Sequence, residues 1–446
     1  MTGTAPENTP QTVQHGLFAR ASRLHLDAPV TIVAVAFLLR VLLILLLGTY
    51  HLPHDASFAF EVGAVAGSVA EGHGFSSPFG DPTGPTAIVS PIYAYLLAGI
   101  FKVFGVYTDA SALAAMILDA LCSALTCWVI FILARETFDR RVAVLAAWLW
   151  AFSPPAVHTS TSYIWETCLS TLLVSLAFLL TVRLPSATRI GEWVRYGALW
   201  AVAALTNGAV LAVFPCLLLW SWLRSKDPAA PGILGRVLAA GLACGICLSP
   251  WAIRNAVTFG SPMLRSGIGA EIYGGMHLEE ELRASDEHWP HLHNPVEQKL
   301  YRESGEMKYM AMRGHEAMQL VAAHPWDFLR LSFKRAPLFW LGDWYRFVIV
   351  HFRGKSVVLN LIVFGSIAVL GLSGLFLAWR KRATYASFYT IPLMIYPVLY
   401  YVTHIEARYR HPMEPLLIVL AAYAMVTVAG SAQEPRKTGA AAPIIS

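Results

Sequence analysis

The chain has 446 residues, of which 56% are hydrophobic and only 14% are charged, and its mean hydropathy is +0.53. No water-soluble domain of this length carries so few charged groups, so the composition excludes a soluble protein and predicts one whose solvent is the bilayer. The net charge of +5 does not indicate nucleic-acid binding, because the basic residues cluster at the ends of apolar segments.

Apolar segments long enough to cross about 30 Å of hydrocarbon recur along almost the whole chain. They predict an all-α polytopic membrane protein, a bundle of about ten transmembrane helices with additional juxtamembrane helices. The first apolar run, Val30 to Leu47, lacks a small-residue cleavage site and is interpreted as a retained span. The predicted spans are 30–49, 110–134, 141–158, 165–183, 194–206, 208–224, 233–251, 356–379, 386–402 and 412–429.

This pattern divides the chain into a cytoplasmic segment (1–29), a membrane-embedded domain (30–429) and a cytoplasmic tail (430–446) whose composition predicts disorder. Basic clusters between the spans set the orientation, because positively charged loops stay in the cytoplasm. The clusters lie at 135–141, 183–195, 224–226, 380–382 and 436–437.

The opposite side of the membrane then receives residues 50–109, 158–165, 252–355 and 404–415, which we expect to build one extracytoplasmic site. Two apolar stretches in these segments, Thr86–Gly105 and Trp326–His351, are predicted to be juxtamembrane, re-entrant or interfacial helices. A full crossing by Thr86–Gly105 would invert every later loop and place the basic clusters outside.

Two carboxylates, Asp55 and Glu61, follow the first span closely. A helix of small residues is predicted to begin near Glu61 and to end at Gly72. A carboxylate in this loop could serve as a general base toward a substrate hydroxyl. The structural alternative is that Asp55 caps the helix and Glu61 is a solvated residue stabilised by the helix dipole.

Glu166 stands at the external end of a predicted span, where a carboxylate needs water, a cation or a partner. It could orient the acceptor, tune the base or, together with Glu61, bind a divalent cation, although no spacing requires a metal. A helix-end cap that pairs with an external arginine is the structural alternative. The six cysteines lie in apolar runs and indicate neither a disulfide nor a zinc site.

External arginines run against the positive-inside trend and therefore need an explanation. Guanidinium groups bind phosphate oxygens well. Snorkelling to lipid headgroups is the alternative. No acid–base role is assigned to the loop histidines, His404 among them. The substrate-binding candidates are Arg254, Asn255, Arg265, Arg408, Arg410 and His411.

Several short motifs resemble the type C glycosyltransferases, and the chain is similar to family 39, which includes protein O-mannosyltransferases and lipid A aminoarabinose transferases. The resemblance covers about residues 30 to 420. The motifs are Glu61-x-Gly-x-x-Ala66, Gly72-His-Gly-Phe-Ser-Ser-Pro-Phe79, Pro85-Thr-Ala87, Pro91-Ile-Tyr93, Leu133-Ala-Arg-Glu-Thr-Phe138, Ile164-Trp-Glu-Thr167, Leu205-Thr-Asn207, Pro250-Trp-Ala-Ile-Arg-Asn255 and Arg408-Tyr-Arg-His-Pro412.

The resemblance implies an inverting transfer in which a loop carboxylate deprotonates an acceptor hydroxyl while a lipid phosphate departs. Many members carry adjacent Asp and Glu residues at this point, whereas this sequence separates Asp55 from Glu61. Glu61 lies on the better-matching helix and is chosen as the base, with Asp55 as the second candidate. The motif around Tyr93 adds that residue to the substrate-binding candidates.

We therefore expect an inner-membrane glycosyltransferase that uses a polyprenyl-phosphate sugar donor and a lipid, glycan or protein acceptor at the extracytoplasmic face. A ligase or polymerase of lipid-linked oligosaccharides is the first alternative. A secondary transporter is the second, because Arg40 and Asp119 lie inside predicted spans, but the inverted repeats typical of transporters are not found. Both buried charges are expected to pair or to face a polar cavity.

Overall fold

A computed structural model describes residues 26–225, 232–276, 294–341 and 355–433. Within these ranges the chain forms α-helices, short 3₁₀ segments and turns, with no β-strand and one isolated bridge between Ser76 and Pro85. The predicted segment 1–29 falls mostly outside the described residues, as do 342–351 of the predicted interfacial stretch and 434–446 of the tail.

The helices are α1 (Pro29–Leu47), α2 (Phe60–Ala70), α3 (Pro91–Phe104), α4 (Asp109–Thr137), α5 (Arg140–Ala151), α6 (Pro154–Ser162), α7 (Thr167–Arg183), α8 (Ile190–Thr206), α9 (Phe214–Leu223), α10 (Ile233–Phe259), α11 (Ile268–Met276), α12 (Pro295–Ser304), α13 (Glu306–Ala323), α14 (Pro325–Leu341), α15 (Lys355–Arg380), α16 (Ala386–Val402) and α17 (Glu414–Gln433). Three 3₁₀ segments, Leu184–Ser186, Gly208–Val213 and Ala407–Met413, lie between them.

Each predicted span coincides with one helix or with two consecutive helical segments, which confirms the all-α polytopic fold class. In the described part of the chain, six helices are long and apolar enough to cross a membrane, and the bent pair α5–α6, with 43° between its axes, makes a seventh. The remaining three predicted spans fall on shorter elements: α8, the 3₁₀ segment with α9, and α16.

Two predicted boundaries need correction. The helix in the span expected to end at residue 251 continues through Pro250 to Phe259. Proline is tolerated within a transmembrane helix because neighbouring helices and side chains can satisfy the backbone groups that it leaves unpaired. Gly260, with φ of 74°, ends α10. The tail expected to begin at residue 430 is still helical to Gln433.

The stretch Thr86–Gly105 contains only α3, whose 14 residues extend about 21 Å at 1.5 Å per residue. This length is too short for a full crossing, and α3 packs instead against α2 and α4. In the stretch Trp326–His351, the described part is α14, which packs against α16.

The two charges predicted inside spans, Arg40 and Asp119, have separate partners. Arg40 donates to the carbonyl oxygen of Ala151 at 3.0 Å and to the hydroxyls of Ser123 and Ser160, both at 3.1 Å. It thereby satisfies a carbonyl freed where α5 ends and the chain bends into α6. Asp119 accepts a hydrogen bond of 2.7 Å from the hydroxyl of Tyr93. These contacts give both groups structural partners, as a charge at membrane depth requires.

The basic turns meet at one end of the bundle. Arg140 pairs with Asp27 at 2.5 Å, which joins the start of α1 to the start of α5. Arg183 donates to the Glu136 carboxylate at 3.0 Å, which joins the ends of α4 and α7. The same end receives the turn after α15, because Arg224 donates to the carbonyl oxygen of Thr384.

The opposite end of the bundle contains a second apolar core, separate from the main core between the long helices. It packs the loop that follows α1 onto α12 and α13, with Phe79 against Tyr301 at 5.0 Å between ring centroids. Glu306 accepts from the backbone amide of Ala87 at 2.7 Å and from the Tyr301 hydroxyl at 2.8 Å. The first loop is therefore fixed to a distant part of the chain.

Candidate active site

Helix α2 begins with a strained backbone. Ala59 and Phe60 both lie in the left-handed region, with φ of 55° and 53°, a conformation that is costly for residues with side chains. The tight turn brings the Phe58 carbonyl oxygen against Gly63, where an added Cβ would lie only 1.7 Å from that oxygen. Only glycine fits at this position. The Glu61-x-Gly63 pattern is thus required by the geometry that places Glu61 in the first turn of α2.

Arg408 lies at the centre of the site. Its guanidinium carbon is 4.2 Å from the centroid of the Trp165 ring, within the range of a favourable cation–π contact. The ring of Phe60 packs edge-on against the same Trp165 ring, with 5.7 Å between the ring centroids. Arg408 Nε forms an ion pair with the Glu406 carboxylate at 2.9 Å, and the more distant carboxylates of Glu166 and Glu61 also act on its charge. The strained start of α2, the start of α7 and the last external turn therefore converge on one guanidinium.

Glu166 occupies the N-cap position of α7, but its side chain makes no capping hydrogen bond. The positive charges of Arg408 and Arg265 act on its carboxylate, which therefore belongs to the Arg408 cluster. An interaction with an external arginine is what the structural alternative also expects, whereas the capping hydrogen bond of that alternative is not formed.

Arg265 approaches the same cluster from the segment between α10 and α11. Its Nε donates to the carbonyl oxygen of Ile88 at 2.7 Å, which fixes the side chain at its base. The residue is exposed, and its charge acts on Glu166 and on Glu271. Its guanidinium is a charged donor of the kind that binds phosphate oxygens.

A hydrogen-bonded group of three residues borders Arg408, and sequence reasoning did not find it. The carboxylate of Glu271 lies 2.7 Å from Nδ1 of His404, and Nε2 of His404 lies 2.8 Å from the hydroxyl of Tyr409. The sequence pattern indicates neither His404 nor Glu271 as a site residue. No sequence signal joins them, because they belong to segments far apart in the chain.

Electrostatics tie this group to the arginines. Burial opposes ionisation of Glu271, but the positive charge of His404 holds the pKa of Glu271 below its usual range, helped by Arg265 and Arg408. Burial likewise opposes protonation of His404, yet the Glu271 carboxylate raises the pKa of His404 above its ordinary value. The two side chains therefore favour an ion pair near neutral pH.

Two other predicted binding residues brace the first loop. Arg254 donates to the carbonyl oxygens of Thr86 at 2.8 Å and Phe75 at 3.0 Å. Asn255 is fully buried and donates to the carbonyl oxygen of Met263 at 2.7 Å. Both side chains are thus used in holding backbone segments around the site.

Three predicted binding residues lie away from the Arg408 cluster. Tyr93 is buried and donates to Asp119, so it joins α3 to α4. Arg410 is buried against Glu414, with 3.0 Å between Nη2 and a carboxylate oxygen. His411 places Nδ1 at 3.0 Å from the other oxygen of the same carboxylate. The carboxylate that pairs with Arg410 and His411 is buried. A 3₁₀ helix turns about 120° per residue, so Arg408 and Arg410 leave its axis in different directions.

Asp55, the second candidate for the base, lies in an exposed turn. Its Oδ1 accepts from the backbone amide of Ser57 at 2.8 Å and from the hydroxyl of the same residue. These hydrogen bonds lower the pKa of Asp55 below its ordinary value, which makes it a weaker base. The expectation that Asp55 caps the helix is wrong, because the N-cap of α2 is Ala59 and the Asp55 carboxylate closes a turn with Ser57 instead.

No group of three or more His, Cys, Asp or Glu residues suited to a metal ion occurs in the described ranges. The cluster contains two arginines, Arg265 and Arg408. In chemical terms it combines carboxylates with fixed positive charge, a combination suited to proton transfer beside an anionic leaving group.

Comparison with known proteins agrees with this arrangement. Residues 88–253 match the model of the dolichyl-phosphate-mannose-protein mannosyltransferase family. The oligosaccharyltransferase AglB from Archaeoglobus fulgidus, in complex with an inhibitory peptide and a dolichol-phosphate, aligns with a TM-score of 0.52 and 14% identity over 90% of this chain and 50% of that one. Its apo form aligns with a TM-score of 0.53 and 14% identity over 91% and 51%.

A structure of ArnT from Cupriavidus metallidurans bound to undecaprenyl phosphate aligns with a TM-score of only 0.40 and 13% identity, over 90% of this chain and 78% of that one, and carries no argument. No curated protein matches the sequence. The chain spans about half the length of the AglB structures it matches. The family match and the shared architecture show that the chain has a type C glycosyltransferase fold.

Proposed function

We propose that the chain is a glycosyltransferase that moves a sugar from a polyprenyl-phosphate donor to a hydroxyl acceptor at the extracytoplasmic face of the inner membrane. The observation that carries this proposal is the cluster in which the charges of Glu406, Glu166 and Glu61 act on Arg408, and Arg265 acts on Glu166, within a type C glycosyltransferase fold. The face follows from the positive-inside rule, because the basic turns meet at the other end of the bundle.

Glu61 is the proposed base. Its carboxylate removes the proton of the acceptor hydroxyl as that oxygen attacks the anomeric carbon of the donor. The bond between the anomeric carbon and the phosphate oxygen breaks, and both bonding electrons leave with the lipid phosphate. The strained turn at Ala59 and Phe60 fixes the direction of the carboxylate, which is the use that active sites make of such strain.

Arg408 and Arg265 are the proposed ligands of the departing phosphate. The leaving group gains negative charge in the transition state, and fixed guanidinium groups stabilise that charge without reorganising. Arg408 is held in place by the face of Trp165, and Arg265 by the carbonyl oxygen of Ile88. Glu166 balances the charge of Arg408 and contributes to positioning it.

The proposal is tested by transfer of labelled sugar from polyprenyl-phosphate donors in vesicles that contain the purified protein. Glu61→Gln keeps the size of the side chain but removes the base, so transfer should fall about 10²- to 10⁴-fold. The matched control is Glu71→Gln, because Glu71 is an exposed carboxylate just after the same helix. Equal rates for native protein and Glu61→Gln would remove Glu61 from the mechanism.

The same assay tests the phosphate ligand. Arg408→Ala should weaken donor binding, while Arg302→Ala, which removes an exposed arginine paired with Asp81, should not. Donors that carry one sugar and donors that carry an oligosaccharide are offered in parallel, because a ligase would prefer the second. If native protein transfers nothing from any donor, the glycosyltransferase proposal fails and transport becomes the hypothesis to pursue.

A further inference from the structure

Glu271, His404 and Tyr409 form a continuous hydrogen-bonded chain that the proposed reaction does not use. The chain begins on α11 with Glu271, passes through the turn after α16 and ends on the residue next to Arg408. The side chains of His404 and Glu271 are 16% and 23% exposed, so the pair is largely shielded from water. The Tyr409 ring is held by stacking on Tyr400 at 4.5 Å between centroids.

The direction of the last hydrogen bond depends on the protonation state of His404. A neutral imidazole that donates from Nδ1 to Glu271 has a free lone pair on Nε2, so the Tyr409 hydroxyl must donate to it. A protonated imidazole donates from both nitrogens, so the hydroxyl oxygen becomes the acceptor. The hydroxyl hydrogen is then released to donate to a different group.

The charged groups around His404 favour the protonated state near neutral pH. Glu271 faces it from α11 and Glu406 from its own turn, while Arg408 opposes protonation from the 3₁₀ segment. Arg265 acts on Glu271, and Arg335 of α14 donates to the Tyr401 carbonyl near the turn. The two carboxylates outweigh the arginines in their effect on His404.

We propose that the hydrogen-bonded group of Glu271, His404 and Tyr409 is a positioning relay. In this relay, protonated His404 turns the Tyr409 hydroxyl into a hydrogen-bond donor for the phosphate of the lipid-linked sugar. Tyr409 lies beside Arg408, so its hydroxyl adds a neutral donor to the arginine site. The inference rests on the proposed function only in taking a polyprenyl phosphate ester as the ligand. Phosphate binding is then strong below the titration of His404 and weakens as the pH rises through it.

The test is the affinity of the detergent-solubilised full chain for a polyprenyl phosphodiester between about pH 6 and pH 9. A phosphodiester suits this purpose because a phosphomonoester has a second pKa near 6 and would itself titrate. Loss of one hydrogen bond to a charged group should weaken native binding about tenfold across this range. Tyr409→Phe should bind weakly at every pH, and His404→Gln, whose amide does not titrate, should bind with the same affinity at every pH.

Glu271→Gln keeps the histidine and removes the carboxylate that favours its protonation. Its binding midpoint should move to lower pH, and this variant serves the test if His404→Gln fails to fold. His51→Gln is the control, because His51 forms an exposed pair with Asp109 at the same end of the bundle. It should keep the native pH dependence.

Several results would overturn the relay. Native binding that does not change with pH, or an unchanged midpoint in Glu271→Gln, removes the role of His404. A native pH dependence in Tyr409→Phe shows that the histidine charge acts directly and that the hydroxyl has no part. Because the readout is binding, pH-dependent affinity without any sugar transfer would overturn the proposed function and leave the relay standing.

Discussion

The two ends of the bundle use charge in different ways. At the basic end the charged pairs are open to solvent: Arg140 and Asp27 are 66% and 54% exposed, and such pairs contribute little to stability. At the other end Arg408 is only 29% exposed and lies among Glu61 and Glu166. Exposed charge at the first end orients the chain in the membrane, whereas shielded charge at the second end can act on a substrate.

The same difference separates two arginines in one motif. Arg410 is buried and fully engaged by Glu414 and by backbone carbonyl oxygens. Arg408, two residues earlier, rests on the face of Trp165 and stays partly accessible. Two arginines of one motif therefore differ in role: Arg410 is part of the bundle, and Arg408 is part of the site. Four substitutions sharpen these contrasts.

The largest expected effect comes from Gly63→Ala. The new methyl group would meet the Phe58 carbonyl oxygen, so the strained turn must open and move Glu61. Transfer should fall about as far as in Glu61→Gln, on the order of 10²- to 10⁴-fold. The control is Gly99→Ala in α3, where an added Cβ meets nothing within 4 Å. Labelled-sugar transfer measures both, and a fully active Gly63→Ala would show that the turn does not position the base.

Arg410→Met tests the structural arginine. It leaves the buried Glu414 carboxylate with only its His411 contact, and loss of one partner of a buried pair costs up to about 3–5 kcal/mol of stability. The double variant Arg410→Met with Glu414→Leu should recover most of this loss, because it removes both charges. Denaturant unfolding in detergent measures the effect. If the single variant is as stable as native protein but binds donor poorly, Arg410 belongs to the site after all.

Arg265→Lys should have an intermediate effect on the site. Lysine keeps the charge but loses the Nε contact with Ile88 and the planar pair of donors that matches a phosphate. Donor affinity should fall about tenfold, with unfolding unchanged. A donor titration by intrinsic fluorescence measures this, and native affinity in the lysine variant would assign Arg265 to headgroup contact only.

Arg183→Ala at the basic end should have the smallest effect. Arg183 and Glu136 form an accessible ion pair, in which their side chains are 49% and 26% exposed. The loss of stability should therefore stay below about 1 kcal/mol. Sugar transfer should match native protein. A loss of transfer in this variant would mean that the two ends are not as independent as the structure indicates.

The sequence predicts the architecture well, because apolar length is a property of consecutive residues. All ten predicted spans fall on helical segments, and the shortness of α3 agrees with its predicted juxtamembrane place. The error at the end of α10 has a physical cause. Pro250 and Arg254 suggest a helix end when the segment is considered alone, but in the folded protein the helix continues beyond both residues.

The site is predictable only where it depends on local pattern. Glu61 and Gly63 stand in one short motif, so both could be read from the sequence. The contact of Glu271 with His404 depends on the path of the whole chain and leaves no local signal. The different roles of Arg408 and Arg410 likewise depend on which partners surround a 3₁₀ segment.

The most direct test of the account is to map where the donor phosphate binds. A polyprenyl phosphodiester with a photoreactive group next to the phosphate is cross-linked to the purified chain, and the labelled peptides are identified by mass spectrometry. The account predicts labels near Glu61, Trp165, Arg265 and Tyr409, and excess unlabelled phosphodiester should remove them. The basic end has a pocket whose lining includes Arg141 and Lys381, and labels found only there would contradict the account.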